Sequence, residues 1–439
     1  MKPARHTAYG AVLASVALLA AACGSSGSTP GAAGGGATGG KVDGAGKSLT
    51  VWIMEGTNKD ATAFFTDVKK TFKTQTGADL NVQMVPWTGA HDKFTTAIAG
   101  GTTPDVAEVG TTWTGEFGQA GALADLTGDV TASGGESGLV AGLVESAKVD
   151  GKLYGMPWYA GVRSVVYRTD LFAKAGVKPP TTWAELADVA RKVKAANPGV
   201  TAFPMPGDSS YSVFPFVWGA GGEIATRSGT TWTCSLSSAK ARAGLQYYSD
   251  LALKDGVSNP AATTWKETDI RDSFIKGQSA MVISGSWTPA AILAKAPDLK
   301  GKIGAFAIPG QTGGMSPSFL GGSHLSVFEG SKNPELAWAF VKLMTYGDFA
   351  GEWGTQTGFF PGTKALLDKV IAANDPLVAP FAKQFTEAGK SVPVTPAWGK
   401  VEGAKTVTAM TQSILSGKAS VEQATSTACA AMDKQLASG

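Results

Sequence analysis

The sequence LTVWIM (49–54) is an almost wholly apolar run, and LNVQM (80–84) alternates apolar with polar residues. The first pattern predicts a strand buried on both faces, and the second predicts a neighbouring strand. Between them lies an apolar stripe that predicts a helix ending at Gly77. This strand–helix–strand order predicts an α/β fold with a mainly parallel sheet. The residues of the stripe are Ala61, Phe64, Phe65, Val68 and Phe72.

The same alternation of strands and helices continues along the chain. Thr182 and Glu185 form a capping-box pattern that predicts a helix start, and Asn333-Pro334 predicts another. Beyond about residue 362 the pattern is almost wholly helical. Further strands are predicted near 105–109, 162–167, 280–284 and 303–308, and a further helix near 91–99.

The composition excludes several classes of protein. The 439 residues carry a formal charge of +3, which argues against the clustered basic surface of a nucleic-acid-binding protein. A hydrophobic share of 43% is too high for a disordered chain. Only 3 Cys and 3 His are available, so we expect no protein-built metal site. The 12 Trp are many for one chain, and some of them are expected to bind a ligand.

The first residues are predicted to direct export. Residues 1–22 have a short basic start and an apolar core of signal-peptide length, too short to span a membrane. They end before Cys23 in a pattern that resembles a bacterial lipobox, which predicts a lipid-anchored protein on the extracellular face of the membrane. Ala20 departs from that pattern, and ordinary secretion is the alternative. Removal of residues 1–22 lowers the formal charge from +3 to +1.

Residues 23–47 are rich in Gly, Ser and Ala and predict a flexible tether. The GxGxxG pattern at 34–39 falls inside this tether, with no strand before it and no helix after it. We therefore expect no nucleotide cofactor, and no other cofactor is indicated.

Two cysteines remain once Cys23 is assigned to lipid. In an exported protein, Cys234 and Cys429 are expected to form a disulfide. Two separate buried thiols are the alternative.

Several segments together resemble one protein family, the sugar-binding lipoproteins of bacterial ABC importers, which includes maltose-binding protein. The resemblance runs from about Leu49 to the C-terminus, and it depends on the order and spacing of the segments. They are TPDV (103–106) with Trp113, GKLYGMP (151–157), YRTDL (167–171), GQSAMVISGSW (277–287) and Gly321-Gly322.

The resemblance implies a two-lobed periplasmic-binding-protein-like fold of type II, with the ligand between the lobes. The chain would cross between the lobes three times, near 158–161, 319–322 and 359–362. The first lobe would comprise residues 48–159 and 322–360. The second would comprise residues 160–321 and 361–439, and would contain both Cys234 and Cys429.

Ligands of open parallel sheets lie beyond the carboxyl ends of the strands. This rule nominates Glu55, Trp87 and the segment Thr111, Thr112 and Trp113. Aromatic rings can cover the C–H faces of a sugar, while charged groups pair with its hydroxyls. Trp52, Trp183, Trp232 and Trp338 lie in regular elements and are predicted to be core residues. The other candidate ligand contacts are Trp158, Tyr159, Arg163, Tyr211, Trp218, Trp287, Trp398 and Gly322, the last of which could instead serve only the hinge.

The resemblance implies capture of a neutral oligosaccharide, with a disaccharide preferred, and delivery to ABC permease subunits by a monomeric protein without catalytic activity. An anionic sugar or glycerol phosphate is one alternative, but only Arg163 is placed to bind it. An exported glycoside hydrolase is another, and it needs two carboxylates about 5–9.5 Å apart. Thr111-Thr112 stands where family members often carry an acid, so the particular sugar is not implied.

Overall fold

A computed structural model describes residues 42–437 of the chain. The predicted signal peptide, Cys23 and most of the predicted tether lie outside the described residues. The strands are β1 (Ser48–Met54), β2 (Asp79–Val85), β3 (Val106–Gly110), β4 (Lys148–Val149), β5 (Lys152–Leu153), β6 (Met156–Arg168), β7 (Ala225–Ser228), β8 (Thr231–Cys234), β9 (Met281–Gly285), β10 (Ile303–Phe306), β11 (Ser318–Val327), β12 (Phe360–Pro361) and β13 (Gly389–Lys390).

The helices begin and end at the signals that the sequence predicts in several places. Gly77 ends the first helix in a left-handed conformation with φ 78°, and its N–H donates to the Lys73 carbonyl. The Thr182 hydroxyl accepts from the Glu185 N–H at 3.2 Å. The Glu185 carboxylate accepts from the N–H of Thr181 at 2.7 Å. The helices are α1 (Ala61–Thr76), α2 (Ala90–Gly100), α3 (Thr114–Gln119), α4 (Thr127–Ala132), α5 (Ala141–Ser146), α6 (Thr169–Lys174), α7 (Trp183–Ala196), α8 (Ser210–Gly219), α9 (Ala239–Leu253), α10 (Glu267–Ile275), α11 (Thr288–Lys295), α12 (Pro334–Thr345), α13 (Asp348–Thr357), α14 (Lys364–Ala372), α15 (Ala379–Ala388), α16 (Trp398–Gly403), α17 (Thr406–Leu415) and α18 (Val421–Leu436), with 3-10 turns at Glu136–Gly138, Pro260–Thr264 and Pro297–Leu299.

Two sheets share the long strand β6. In the first sheet, β1 is parallel to both β2 and β3, and β11 is antiparallel to β3 and to the first half of β6. In the second sheet, β9 and β10 are antiparallel to the second half of β6. The expectation of a mainly parallel sheet therefore holds for β1 to β3 and for the short pair of β11 with β13. The other pairings of the long strands β6 and β11 are antiparallel.

The connection between the sheets is a ladder of β6, β11 and β12. Gly161 of β6 pairs with Gly321 of β11, and Ala160 pairs with Phe360 of β12. A Cβ on Gly322 would collide with the Tyr159 carbonyl oxygen, so glycine lets these backbones approach closely. These pairs fall where the three crossings are predicted, while the lobe boundaries themselves stay predictions.

Separate apolar cores lie on the two sides of this ladder. The first packs α1 and α12 against β1, through buried residues such as Phe72, Phe340 and Val51. The second packs α7, α8, α9 and α18 together, through buried residues such as Phe216 and Met432. Cys234 and Cys429 are joined in this second core, with their Cα atoms 5.1 Å apart.

Within residues 42–437, no helix has both the length and the apolar character needed to cross a membrane. The same residues contain no group of three or more His, Cys, Asp or Glu side chains that could hold a metal ion.

Candidate functional site between the two sheets

The carboxyl ends of β1, β2 and β3 carry the first group of predicted contacts. Trp87 is 41% exposed, and its ring centroid lies 5.8 Å from that of Trp113. His91 packs beside Trp113 at 5.5 Å between ring centroids. We call Trp87, His91 and Trp113 the first wall. Glu55 follows β1 as predicted and is exposed.

A hydrogen bond supports His91 within the first wall. Its Nε2 lies 2.9 Å from a carboxylate oxygen of Glu116. That bond raises the pKa of His91, against the lowering effect of partial burial. Protonated His91 therefore forms an ion pair with Glu116.

The second group surrounds Arg163, which follows the hinge on β6. Its guanidinium carbon lies 4.6 Å from the ring centroid of Tyr211 and 5.0 Å from that of Trp287. Phe319 stacks on Tyr211, with centroids 4.0 Å apart and planes within 7°. Trp287 stacks in turn on Phe359 at 4.4 Å. We call Arg163, Tyr211 and Trp287 the second wall, and the sequence predicts all three.

Two carboxylates, Glu267 and Glu402, hydrogen-bond to residues of the second wall. The sequence analysis did not nominate either of them. Glu267 Oε2 accepts from Arg163 at 2.9 Å, and Glu402 Oε1 accepts from the Tyr211 hydroxyl at 2.7 Å. Burial raises the pKa of Glu402, while the hydrogen bond from Tyr211 and the nearby Thr112 and Trp398 side chains lower it in part. Arg163 Nε and Glu267 Oε1 are buried and have no hydrogen-bond partner among the described residues.

The two walls meet at one point. The Thr112 side chain, two residues past β3, lies near the Glu402 carboxylate and lowers its pKa. Gly399 packs tightly on the Glu116 carboxylate that supports His91 of the first wall, because a Cβ at this position would collide with Glu116 Oε2. Trp398 is only 2% exposed but lines the adjoining cavity. That cavity has a volume of about 370 Å³, and we call it the Tyr211 cavity; its lining includes Tyr211, Glu267, Trp398 and Glu402.

Trp158 and Tyr159 do not join these walls, although the sequence places them among the ligand contacts. Trp158 is 1% exposed and stacks on Trp353 with centroids 4.6 Å apart. The Tyr159 hydroxyl donates to Glu108, and the Ser323 hydroxyl donates to the same carboxylate at 2.8 Å. Both rings are inside the first core because β6 continues through them as an interior strand.

Trp218 and Gly322 also lie apart from the walls. Trp218 is buried in the second core beside Phe214, with ring centroids 5.3 Å apart. Gly322 N–H faces the Thr111 hydroxyl at 3.3 Å, and its carbonyl accepts from the Thr111 N–H at 2.9 Å. The close backbone contacts of Gly322 agree with a role in the hinge ladder.

Comparison with known proteins gives the family. Residues 55–345 match the family model described as bacterial extracellular solute-binding protein. The chain is 32% identical to the diacetylchitobiose binding protein DasA of Streptomyces coelicolor over 82% of each chain.

Solved structures agree with this match. An ABC transporter solute-binding protein of Thermotoga lettingae, bound with alpha-D-tagatose, is 27% identical with a TM-score of 0.78, over 89% of this chain and 100% of that one. The maltose-bound MalE3 of T. maritima is 25% identical with a TM-score of 0.76, over the same shares of 89% and 100%. This chain, with its two sheets joined by a three-strand ladder, belongs to the bacterial extracellular solute-binding proteins.

Proposed function

We propose that this protein is the extracellular binding component of a carbohydrate ABC importer. It captures a neutral oligosaccharide, with a disaccharide preferred, at the first and second walls and the adjoining Tyr211 cavity, and delivers it to the permease. The observation that carries this proposal is the ion pair between buried Arg163 and partly buried Glu267, which lies against aromatic rings. Its Arg163 Nε and Glu267 Oε1 have no hydrogen-bond partner within residues 42–437.

The chemistry of this pair suits a sugar hydroxyl. A buried polar atom without a partner costs about 1–3 kcal/mol, so a ligand that satisfies it gains affinity. A hydroxyl both donates and accepts, so neighbouring hydroxyls of one sugar can serve Arg163 Nε and Glu267 Oε1 together. Tyr211 and Trp398 line the Tyr211 cavity, and aromatic rings are suited to the C–H faces of a sugar.

The charge balance favours an uncharged ligand over an anionic one. The guanidinium of Arg163 is paired with the carboxylate of Glu267. The lining of the Tyr211 cavity carries two cations, Lys266 and Lys405, and three acids, Asp208, Glu267 and Glu402. An anionic sugar would have to displace an ion pair whose Arg163 side chain is only 8% exposed. The ligands of the compared proteins, diacetylchitobiose, tagatose and maltose, are all uncharged sugars and support the same choice.

Closure of the lobes would create the state that the permease recognises. The contacts of Thr112 with Glu402 and of Gly399 with the first wall join residues from both sides of the hinge ladder. Opening about the ladder would break them, and a ligand held by both walls would restore them.

Calorimetric titration of the mature protein with mono-, di- and trisaccharides tests the proposal. We expect a dissociation constant of roughly 1 μM or lower for at least one disaccharide, which is about −8 kcal/mol. Binding of glycerol phosphate in preference to every neutral sugar would overturn it. Release of reducing sugar from the bound ligand would instead indicate a hydrolase.

Two features of processing belong to the same proposal. We propose that Cys23 carries the lipid anchor and that Cys234 and Cys429 are oxidised in the exported protein. Mass spectrometry of the membrane fraction checks both points. An unmodified mature N-terminus would exclude the anchor, and two alkylatable thiols without reduction would exclude the disulfide.

A further inference from the structure

The second wall rests on a pair of glycines in the hinge ladder, Gly161 of β6 and Gly321 of β11, which lie opposite each other. Residues that lie opposite each other on antiparallel strands project to the same face of the sheet. A Cβ on Gly161 would lie 2.5 Å from the Trp287 ring. A Cβ on Gly321 would collide with the Phe319 ring. The two rings therefore fill the space that side chains would occupy on one face of the ladder.

Arg163 projects to the same face, because side chains alternate along a strand and Arg163 lies two residues past Gly161. Its guanidinium carbon lies 5.0 Å from the ring centroid of Trp287 and 5.2 Å from that of Phe319. The charged centre of the second wall therefore contacts both of the rings that cover the glycine pair. The position of the guanidinium thus depends on where the ladder places those two rings.

Two phenylalanines of the predicted hinge crossings pack on the aromatic rings of the second wall. Phe359 directly precedes β12 in the third crossing, and it stacks on Trp287 with ring centroids 4.4 Å apart and planes within 19°. Phe319 begins the second crossing, and it stacks on Tyr211 with ring centroids 4.0 Å apart. Among the residues that the structure describes, the lining of the Tyr211 cavity includes neither phenylalanine. Both therefore support the second wall from outside the cavity.

Phe359 also contacts the first core, so it connects the two sides of the ladder. Its ring centroid lies 4.7 Å from that of Tyr159, and the ring packs against the buried residues of that core. The backbone before it is fixed, because Gly358 ends α13 with φ 77° and donates its N–H to the Gly354 carbonyl at 2.8 Å. A Cβ on Gly358 would lie 2.9 Å from the Trp287 Cα atom, so this turn itself packs closely on the second wall.

We infer that Phe319 and Phe359 are positioning residues of the sugar site, which fix the second wall to two different hinge crossings. This inference rests on the proposed function, because it assigns what orients the residues that bind the sugar. Rotation of the lobes about the ladder moves the two crossings and changes the ring contacts. Neither phenylalanine touches the sugar, and each controls the affinity for it through the ring that it supports.

A double-mutant cycle between Phe359 and Trp287 tests the inference by calorimetry, with the neutral sugar that wild type binds. Phe359→Leu is expected to raise the dissociation constant ~10-fold in the wild-type background and no more than ~2-fold in the Trp287→Ala background, because Phe359 acts through that ring. Phe359→Tyr retains the stack and should stay within ~2-fold of wild type. Phe349→Leu is the matched control and should leave the constant unchanged, because this half-buried ring packs on Phe64 in the first core.

The corresponding cycle between Phe319 and Tyr211 tests the other support. Phe319→Leu is expected to raise the dissociation constant ~5-fold in the wild-type background and no more than ~2-fold in the Tyr211→Ala background. Thermal unfolding shows whether each variant retains the fold. Phe359→Met and Phe319→Met replace a leucine variant that does not fold.

The possible failures can be told apart. If wild type binds no mono-, di- or trisaccharide, the proposed function is overturned and the positioning roles with it. If wild type binds a sugar and both leucine variants stay within ~2-fold of it, only the positioning roles are overturned. Equal weakening by Phe359→Leu in the wild-type and Trp287→Ala backgrounds would also overturn its role, because the residue would then act independently of the Trp287 ring.

Discussion

The first and second walls differ in how firmly they are built. Trp87 of the first wall is 41% exposed, and its Nε1 has only a long contact of 3.4 Å to the Thr57 hydroxyl. In the second wall, Arg163 contacts three rings and one carboxylate. A group that is already ordered loses little freedom on binding. The second wall is therefore expected to supply most of the affinity, and the first wall to adapt to the ligand.

Glu108 on β3 lies inside the first sheet, where its carboxylate joins β1, β6 and β11. Its titration therefore tests the foundation of the first-wall side of the molecule. Its carboxylate accepts from Met54 N–H on β1 as well as from Tyr159 and Ser323, and burial raises its pKa from an ordinary 4.5 to about 7. The protonated acid is favoured in the folded state, so this contribution to stability is complete below pH 4.5 and is lost as pH rises to 7. We expect a loss of roughly 3 kcal/mol in the free energy of unfolding across that window.

Denaturant unfolding at several pH values gives the free energy of unfolding of wild type and of Glu108→Gln. The part of the difference between these two free energies that changes with pH measures the loss. His324, fully buried beside this ladder, provides a control of opposite sign because burial lowers its pKa from 6.5 to about 4. Its contribution is present above pH 6.5 and is lost as pH falls to 4. A wild-type to Glu108→Gln difference that stays constant from pH 4.5 to 7 would contradict the assignment.

Trp287→Ala is expected to give the largest loss of sugar affinity, at least ~30-fold. The ring contributes a stacking face and also packs on Phe359 and over Gly161, so its removal loosens the second wall. Calorimetry with the sugar that wild type binds measures the loss. Trp287→Phe keeps part of the face and should recover part of the affinity. An unchanged constant in Trp287→Ala would remove this residue from the site.

Arg163→Lys tests the central ion pair and should weaken binding about 10-fold. Lysine keeps the positive charge but has no planar guanidinium group. In Arg163 that group hydrogen-bonds to Glu267 and also packs against the Tyr211 ring. Glu267→Gln is the matched variant, since it keeps the shape and removes the opposite charge. If both variants bind as tightly as wild type, the pair is only structural.

Trp87→Ala should weaken binding only about 3-fold, because an exposed and loosely held ring contributes less than a buried one. Calorimetry with the same sugar measures this effect. A loss as large as that of Trp287→Ala would show that the two walls contribute equally and would end the distinction between them.

Much of the fold follows from local patterns, and the exceptions have physical causes. β1 and β2 were predictable because the pattern of apolar residues and the length of each segment agree with a strand. α1 was predictable because its apolar stripe ends at a C-cap glycine, Gly77. β6 was predicted only over its second half, since Gly155, Pro157 and Gly161 resemble strand breakers. In the structure these residues let the hinge backbones and the Trp287 ring approach closely.

The candidate site was predictable where a residue directly follows a strand. Trp87 and Trp113 were found by the strand-end rule, and Arg163, Tyr211 and Trp287 by residue type and family likeness. Glu267 and Glu402 were not, because they lie on α10 and α16, and the packing of these helices brings Glu267 to Arg163 and Glu402 to Tyr211. Trp158 lies in the first core, which the sequence did not indicate because an interior strand and a strand end can carry the same aromatic sequence.

The bond between Cys234 and Cys429 spans a sequence separation of 195 residues. Synthesis and export proceed from the N-terminus, so Cys234 reaches the outside long before its partner. The thiol of Cys234 must therefore stay reduced, or be masked, until nearly the whole chain has emerged. The chain contains Cys23 as a third cysteine, so attachment of lipid there would also remove the only competing partner. Lipidation and correct pairing would then be successive steps of one maturation pathway.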